Sequence, residues 1–314
     1  MCGIAYLGSA AGTARDNVCA ANEKYGIYVG EQAHPDLHNN RCENNKDSGI
    51  AYFGSAAGTA RDNVCAANEK HGIYVGEQAH PDLHNNRCEK NKQCGIGYFG
   101  STAGTARDNT CAANKGIGIA VTEQAHPDLL NNRCEKNKLC GIAYAGSAAG
   151  TARDNVCAAN EKQGIVVAEQ AHPDLHNNRC ENNKDSGIAY FGSAAGTARN
   201  NTCVANKGVG IAVADQTHPD LLNNRCENNK LCGIAYTGSA AGTARDNLCA
   251  ANEVIGIVVA EQAHPDLLNN RCENNKVCGI AYSGSAAGTA KNNVCVGNGR
   301  DIIVGDQARP KIIK

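Results

Sequence analysis

The sequence predicts an all-β fold, a parallel β-helix of about 13–14 turns with three short strands in each turn. Three observations predict it. A Gly-Ile step returns every 23 residues, with isoleucine at 4, 27, 50, 73, 96, 119, 142, 165, 188, 211, 234, 257, 280 and 303, and no copy before the last carries an insertion or deletion. Each complete turn holds asparagine at the same two places. Each also holds cysteine at one place between them. A fixed short period means that like turns stack and bury their apolar faces on one another, whatever the chain length of 314 residues would otherwise suggest.

The strands follow from alternation. In the turn that starts at Gly26, Ile27 and Val29 are expected to point inward with Tyr28 outward. Ala33, Pro35 and Leu37 then point inward, with His34, Asp36 and His38 outward. Asn39-Asn40 makes a bend, because asparagine tolerates left-handed backbone angles. Cys42 opens a short third strand and points in. Helical repeats and leucine-rich repeats do not fit: Pro35 and Gly12 stand where a helix would run, and a turn carries few leucines.

Two kinds of turn alternate, so the full period is 46 residues and seven such pairs fill the chain. Tyr6 of one kind shares a column with Val29 of the other, large on small. Gly12 shares a column with Pro35, where the sheet is expected to bulge or bend, since proline is disfavoured in a central strand. The first asparagine column comprises Asn17, Asn40, Asn63, Asn86, Asn109, Asn132, Asn155, Asn178, Asn201, Asn224, Asn247, Asn270 and Asn293; the second runs from Asn22 to Asn298. Identical amides about 4.8 Å apart can hydrogen-bond along the axis as a structural ladder.

Thirteen of the 18 cysteines occupy one position of the turn, from Cys19 to Cys295, where cysteine acts as a small hydrophobe. The other five, Cys2, Cys94, Cys140, Cys232 and Cys278, are two or more turns apart, roughly 9.6 Å at the least and too far to pair. Reduced thiols are expected throughout, which favours a reducing compartment. With no secretory leader ahead of Cys2-Gly3-Ile4, the expected location is the cytoplasm. The formal net charge of −1 gives no pull toward nucleic acid or an anionic membrane, and no apolar run reaches the length of a membrane helix. A single domain over residues 1–314 is expected, with an irregular last turn at 301–314.

The pattern Gly-Ile-Tyr-Val, then Ala-x-Pro-x-Leu-x-x-Asn-x-Cys-x-x-Asn, resembles the right-handed parallel β-helix repeats of the pectate-lyase-like superfamily, and more narrowly the 23-residue carbohydrate-binding and sugar-hydrolase type repeats. The resemblance covers residues 2–310. It implies right-handed winding, with which crossover chirality agrees. It leaves function open between lyases, hydrolases and non-enzymatic scaffolds.

The residues themselves show no single acid pair out of step with the repeat. Glu31, Glu77, Glu123, Glu169, Asp215 and Glu261 form one acidic column, and Asp36, Asp82, Asp128, Asp174, Asp220 and Asp266 another, each with acids in every second turn only. No catalytic, cofactor or metal residue is therefore assigned, and the expected role is a non-enzymatic rigid scaffold or interaction module; the alternative is a carbohydrate-binding or polysaccharide-degrading protein. A weak candidate binding face is His34, Asp36 and His38 with their counterparts His80, Asp82, His84, His172, Asp174 and His176, which would project together from one strand. Tyr28, Phe53, Tyr74 and Phe99 form a candidate apolar patch for a protein or glycan partner. The chain itself is a further candidate partner, end to end or as a dimer of N-terminal edges, with Arg309, Lys311 and Lys314 guarding the other end.

Overall fold

The computed structural model describes residues 1–313; Lys314 lies outside the described residues. The chain divides into two compact units, Met1–Glu161 and Lys162–Lys314. Both are wound from 23-residue turns into three parallel sheets, and there is no helix among the described residues.

In the first unit the first sheet runs from Ile4–Tyr6 to Ile142–Tyr144, the second from Thr13–Arg15 to Thr151–Arg153, and the third from Arg41–Glu43 to Val156–Ala158. Register is one period per strand: Ile27 pairs with Ile50, Leu37 with Ala60, Cys42 with Cys65. The second unit repeats this from Ile165–Val167, Asp174–His176 and Arg179–Glu181 onward. There the first-sheet strands Cys232–Tyr236, Ile255–Val259 and Cys278–Tyr282 lengthen from three residues to five. The last turn enters the first sheet at Ile302, opposite Ile280, because it is one residue short; Ile303, which continues the strict spacing, lies opposite Ala281.

The second strand is shorter than alternation suggests. It spans Asp36–His38 rather than beginning at Ala33. Glu31 sits at φ 60, so the chain turns a corner there, and Pro35 closes the bend before the strand starts. The Gly12/Pro35 column thus lies at a bend ahead of the strand rather than in a bulge within it. Two more left-handed corners complete the turn, at Asn39 (φ 54) and Asn44 (φ 55). Glu31, Glu77, Asp215 and Glu261 accept the backbone N–H of Gly8, Gly54, Gly192 and Gly238 at 2.7–2.8 Å, so these four acids tie their corners to the turn before.

Ile27, Val29, Leu37 and Cys42 are fully buried, as are the inward residues of most other turns. Both asparagine columns are ladders. The amide oxygen of Asn63 accepts both the backbone and the side-chain N–H of Asn40, at 2.9 and 3.0 Å, while the Asn40 amide nitrogen also reaches the Ala14 carbonyl at 2.8 Å. Asn45 bonds Asn68 and the Cys19 carbonyl in the same way. The ladder also explains the repeated glycine. A Cβ on Gly72 would lie 2.6 Å from the Gly95 carbonyl oxygen and 2.9 Å from the Asn91 amide nitrogen. All 18 cysteines are thiols. Burial pushes Cys94 and Cys232 up to about 11, which keeps them protonated at neutral pH.

The inward tyrosines carry an unmet demand. The hydroxyls of Tyr52, Tyr98, Tyr190, Tyr236 and Tyr282 are buried without a hydrogen-bond partner, and desolvation pushes their ionisation upward. An orphaned buried hydroxyl costs about 1–3 kcal/mol. Tyr190→Phe should therefore leave stability unchanged or raise it by about 1 kcal/mol in denaturant melts. A clear loss would mean that the hydroxyl is bonded, for instance to an internal water.

Candidate functional site

The outer face of the second sheet gathers the chemistry. Its outward positions flank a buried residue in every turn but the last, as Asp36 and His38 flank Leu37. Parallel one-period register stacks those positions into two columns. In one, threonine alternates with aspartate; in the other, arginine alternates with histidine or leucine.

In the first unit Asp36 accepts the hydroxyl hydrogen of Thr59 from the next turn and lies 3.5 Å from the Arg61 guanidinium. His38 Nε2 lies 3.2 Å from Asp62 Oδ2, and the other Asp62 oxygen accepts the side-chain N–H of Asn85 at 2.6 Å. The set recurs one double turn later. Thr105 bonds Asp82 at 2.6 Å, and His84 Nε2 lies 3.3 Å from Asp108. After that the repeat departs from itself. Leu130 replaces histidine in the next such turn. In the second unit His176 Nε2 meets the Asn200 amide at 3.1 Å instead of a carboxylate.

Also in the second unit, a groove of about 380 Å³ opens on the same sheet face. Asp174, Thr197, Arg199, Asp220, Leu222, Thr243 and Arg245 line it. Arg199 and Arg245 stand two turns apart, roughly 9.6 Å, with Leu222 between them.

These contacts differ from the sequence reading in specific ways. His34 is outward like Asp36 and His38 but lies before the strand, with its Nδ1 3.2 Å from the Gln32 carbonyl oxygen. His80 and His172 sit in the same way against Gln78 and Gln170. Asp36 and His38 instead face Arg61 and Asp62 of the following turn. No group of three or more metal-binding side chains is assembled among the described residues. Arg61, Arg107, Arg199 and Arg245, with Asp62 and Asp108, were missed as site residues; the signal was an arginine in the register of histidine, in the other kind of turn.

The aromatic patch is a stacked file rather than open ring faces. Tyr28 and Phe53 lie 5.5 Å apart, Phe53 and Tyr74 4.9 Å, Tyr74 and Phe99 5.1 Å, all stacked, and Tyr25 and His71 pack alongside. Tyr28 leans over Gly30, where a Cβ would come within 2.6 Å of the ring, and Phe99 leans back over Gly97. Rings from two positions thus share one column. Each ring covers its neighbour's face, which leaves little for a pyranose to stack on. Burial holds His71 down at about 4, so it is neutral at physiological pH.

Comparison with solved structures gives matches over nearly the whole chain. The periplasmic alginate epimerase AlgG is 14% identical, with 95% of this chain and 77% of that one covered and a TM-score of 0.63; a variant of the same enzyme gives 13%, the same coverage and 0.68. The Azotobacter vinelandii mannuronan C-5 epimerase AlgE4 A-module is 12% identical, over 92% of this chain and 89% of that one, at a TM-score of 0.45. Likeness at this identity concerns the fold. It nevertheless corrects the expectation of a non-enzymatic scaffold, because that expectation rested on the plainness of the repeat, and the same winding carries the alginate epimerase AlgG. A comparison with curated protein sequences gave no match. A sequence profile described as a right handed beta helix region matches residues 1–133, 83–225 and 218–313, and the chain belongs to that right-handed β-helix family.

Proposed function

We propose that the chain binds an extended acidic polysaccharide along the outer face of its second sheet and acts on it by proton transfer. The observation that carries this reading is the pairing of His38 with Asp62 and of His84 with Asp108, each beside an arginine and a further aspartate on one strand-spaced surface. A guanidinium set against a sugar carboxylate neutralises it and makes the adjacent C–H more acidic. An imidazole held by a carboxylate through one nitrogen can take that proton with the other, and the carboxylate stabilises the imidazolium that results. Asp62 and Asp108 are then positioning residues. The fold shared with polysaccharide-acting enzymes favours the same class of substrate.

The test is solvent exchange. Incubated in D₂O with a panel of polyuronides and neutral glucans, the protein should place deuterium at the carbon next to a uronate carboxylate, and leave neutral glucans untouched. The double variant His38→Ala/His84→Ala should lose on the order of 10²–10⁴-fold of that rate. No exchange on any polyuronide, or exchange undiminished in the double variant, would overturn the proposal.

A further inference from the structure

We infer that the outer face of the first sheet in the second unit is the dimerisation surface for a second copy of this chain. Alternation along the strands Cys232–Tyr236, Ile255–Val259 and Cys278–Tyr282 puts Leu231 on one face with Ala235, Val254 with Val258, and Val277 with Ala281. Leu231 is 49% exposed and Val277 46%. The three leading residues form one column, since the Val254 N–H bonds the Leu231 carbonyl and the Val277 N–H the Val254 carbonyl, both at 2.9 Å. The same column starts in the first unit with Lys24, Asp47 and Lys70. The apolar run falls where the first-sheet strands lengthen to five residues; Ala235 and Ala281 are themselves buried there, so Leu231, Val254 and Val277 carry the exposed surface.

Its charged rims say what covers it. Lys207, Lys230 and Lys276 stand ahead of the strands, with Glu253 bridging the last two; Asp215 and Glu261 stand after them. No charged side chain lies within the three long strands. A two-fold axis parallel to the axis of the unit reverses strand direction between copies. It lays each lysine rim against the acidic rim of the other copy. A two-fold axis along the strands would set like charges together, so the rims select the first arrangement. The face spans about 17 Å along a five-residue strand and about 14 Å over three turns, or about 250 Å². A standard interface buries about 800 Å² on each partner. The dimer is therefore reversible and depends on concentration.

Sedimentation velocity of the full chain over a wide concentration range tests this. The chain should shift from monomer toward dimer. Leu231→Lys/Val277→Lys should abolish the shift with circular dichroism and melting unchanged, because both residues are exposed. A variant carrying Lys230→Glu/Lys276→Glu and another carrying Asp215→Lys/Glu261→Lys should each self-associate less than the parent. Mixed together they should form a heterodimer, since both rim contacts are then complementary. A parent chain that stays monomeric throughout overturns the inference. So does undiminished dimerisation of the Leu231/Val277 variant, or failure of the two rim variants to associate on mixing. A monomer that floats with phosphatidylcholine vesicles would assign the face to a lipid surface instead, and equally overturn it.

Discussion

Replacing Asn109 by leucine should destabilise the chain by about 3 kcal/mol or more, the largest effect expected of any single substitution considered. The Asn109 amide oxygen accepts the backbone N–H and the side-chain N–H of Asn86, at 2.9 and 3.0 Å. Its own nitrogen donates to the Leu83 carbonyl and to Asn132, both at 3.0 Å. Leucine is similar in size, so the loss comes chiefly from polar groups left unpaired out of water. The Asn86 backbone N–H loses its acceptor, and the Asn132 amide oxygen loses one of its donors. Each orphaned group costs about 1–3 kcal/mol. Asn85→Gly is the control one turn earlier on the exposed side, where the amide bonds Asp62 and glycine keeps the left-handed φ of 53 without strain; it should cost well under half as much. Denaturant melts of the two variants decide the matter. Equal losses would mean that the interior ladder is no stronger than a surface contact.

The winding of this chain was readable because each turn repeats the same demand. Ile27, Asn40, Cys42 and Asn45 each meet their own equivalents one period away, so periodicity alone identifies their neighbours. The functional face was harder to read because its contacts join unlike positions. His38 meets Asp62, which is 24 residues on and in the other kind of turn, and Asp36 meets Arg61 by a longer diagonal of 25. The aromatic file hid for a related reason. Tyr28 and Phe53 occupy different positions of their turns, and only small residues such as Gly30 and Gly97 let the rings lean into one column. His34 keeps the outward place that alternation gives it, beside buried Ala33 and Pro35, but lies ahead of the strand that begins at Asp36.

The second large effect concerns the groove in the second unit. Arg199 and Arg245 are exposed, carry fixed charge, and are separated by the apolar side chain of Leu222. Two turns of the winding match the length of two sugar rings in an extended chain, so alternate carboxylates of a polyuronide can meet both guanidinium groups. Leu222 would then lie under the C–H face of the intervening ring, while Asp174 and Asp220 accept its hydroxyls and Thr197 and Thr243 donate or accept. A charge-assisted hydrogen bond contributes about 1.5–3 kcal/mol, so losing two lowers affinity by about 10²-fold even at the exposed end of that range. The loss should shrink as salt is raised, since screening weakens the parent's binding first.

Calorimetric titration with a short alginate oligosaccharide and with a neutral glucan oligosaccharide tests this account most directly. The parent chain should bind the uronate and not the glucan, and Arg199→Ala/Arg245→Ala should lose about 10²-fold in affinity with its melting unchanged. A parent that binds neither sugar, or a double variant that binds the uronate as tightly as the parent, would contradict it.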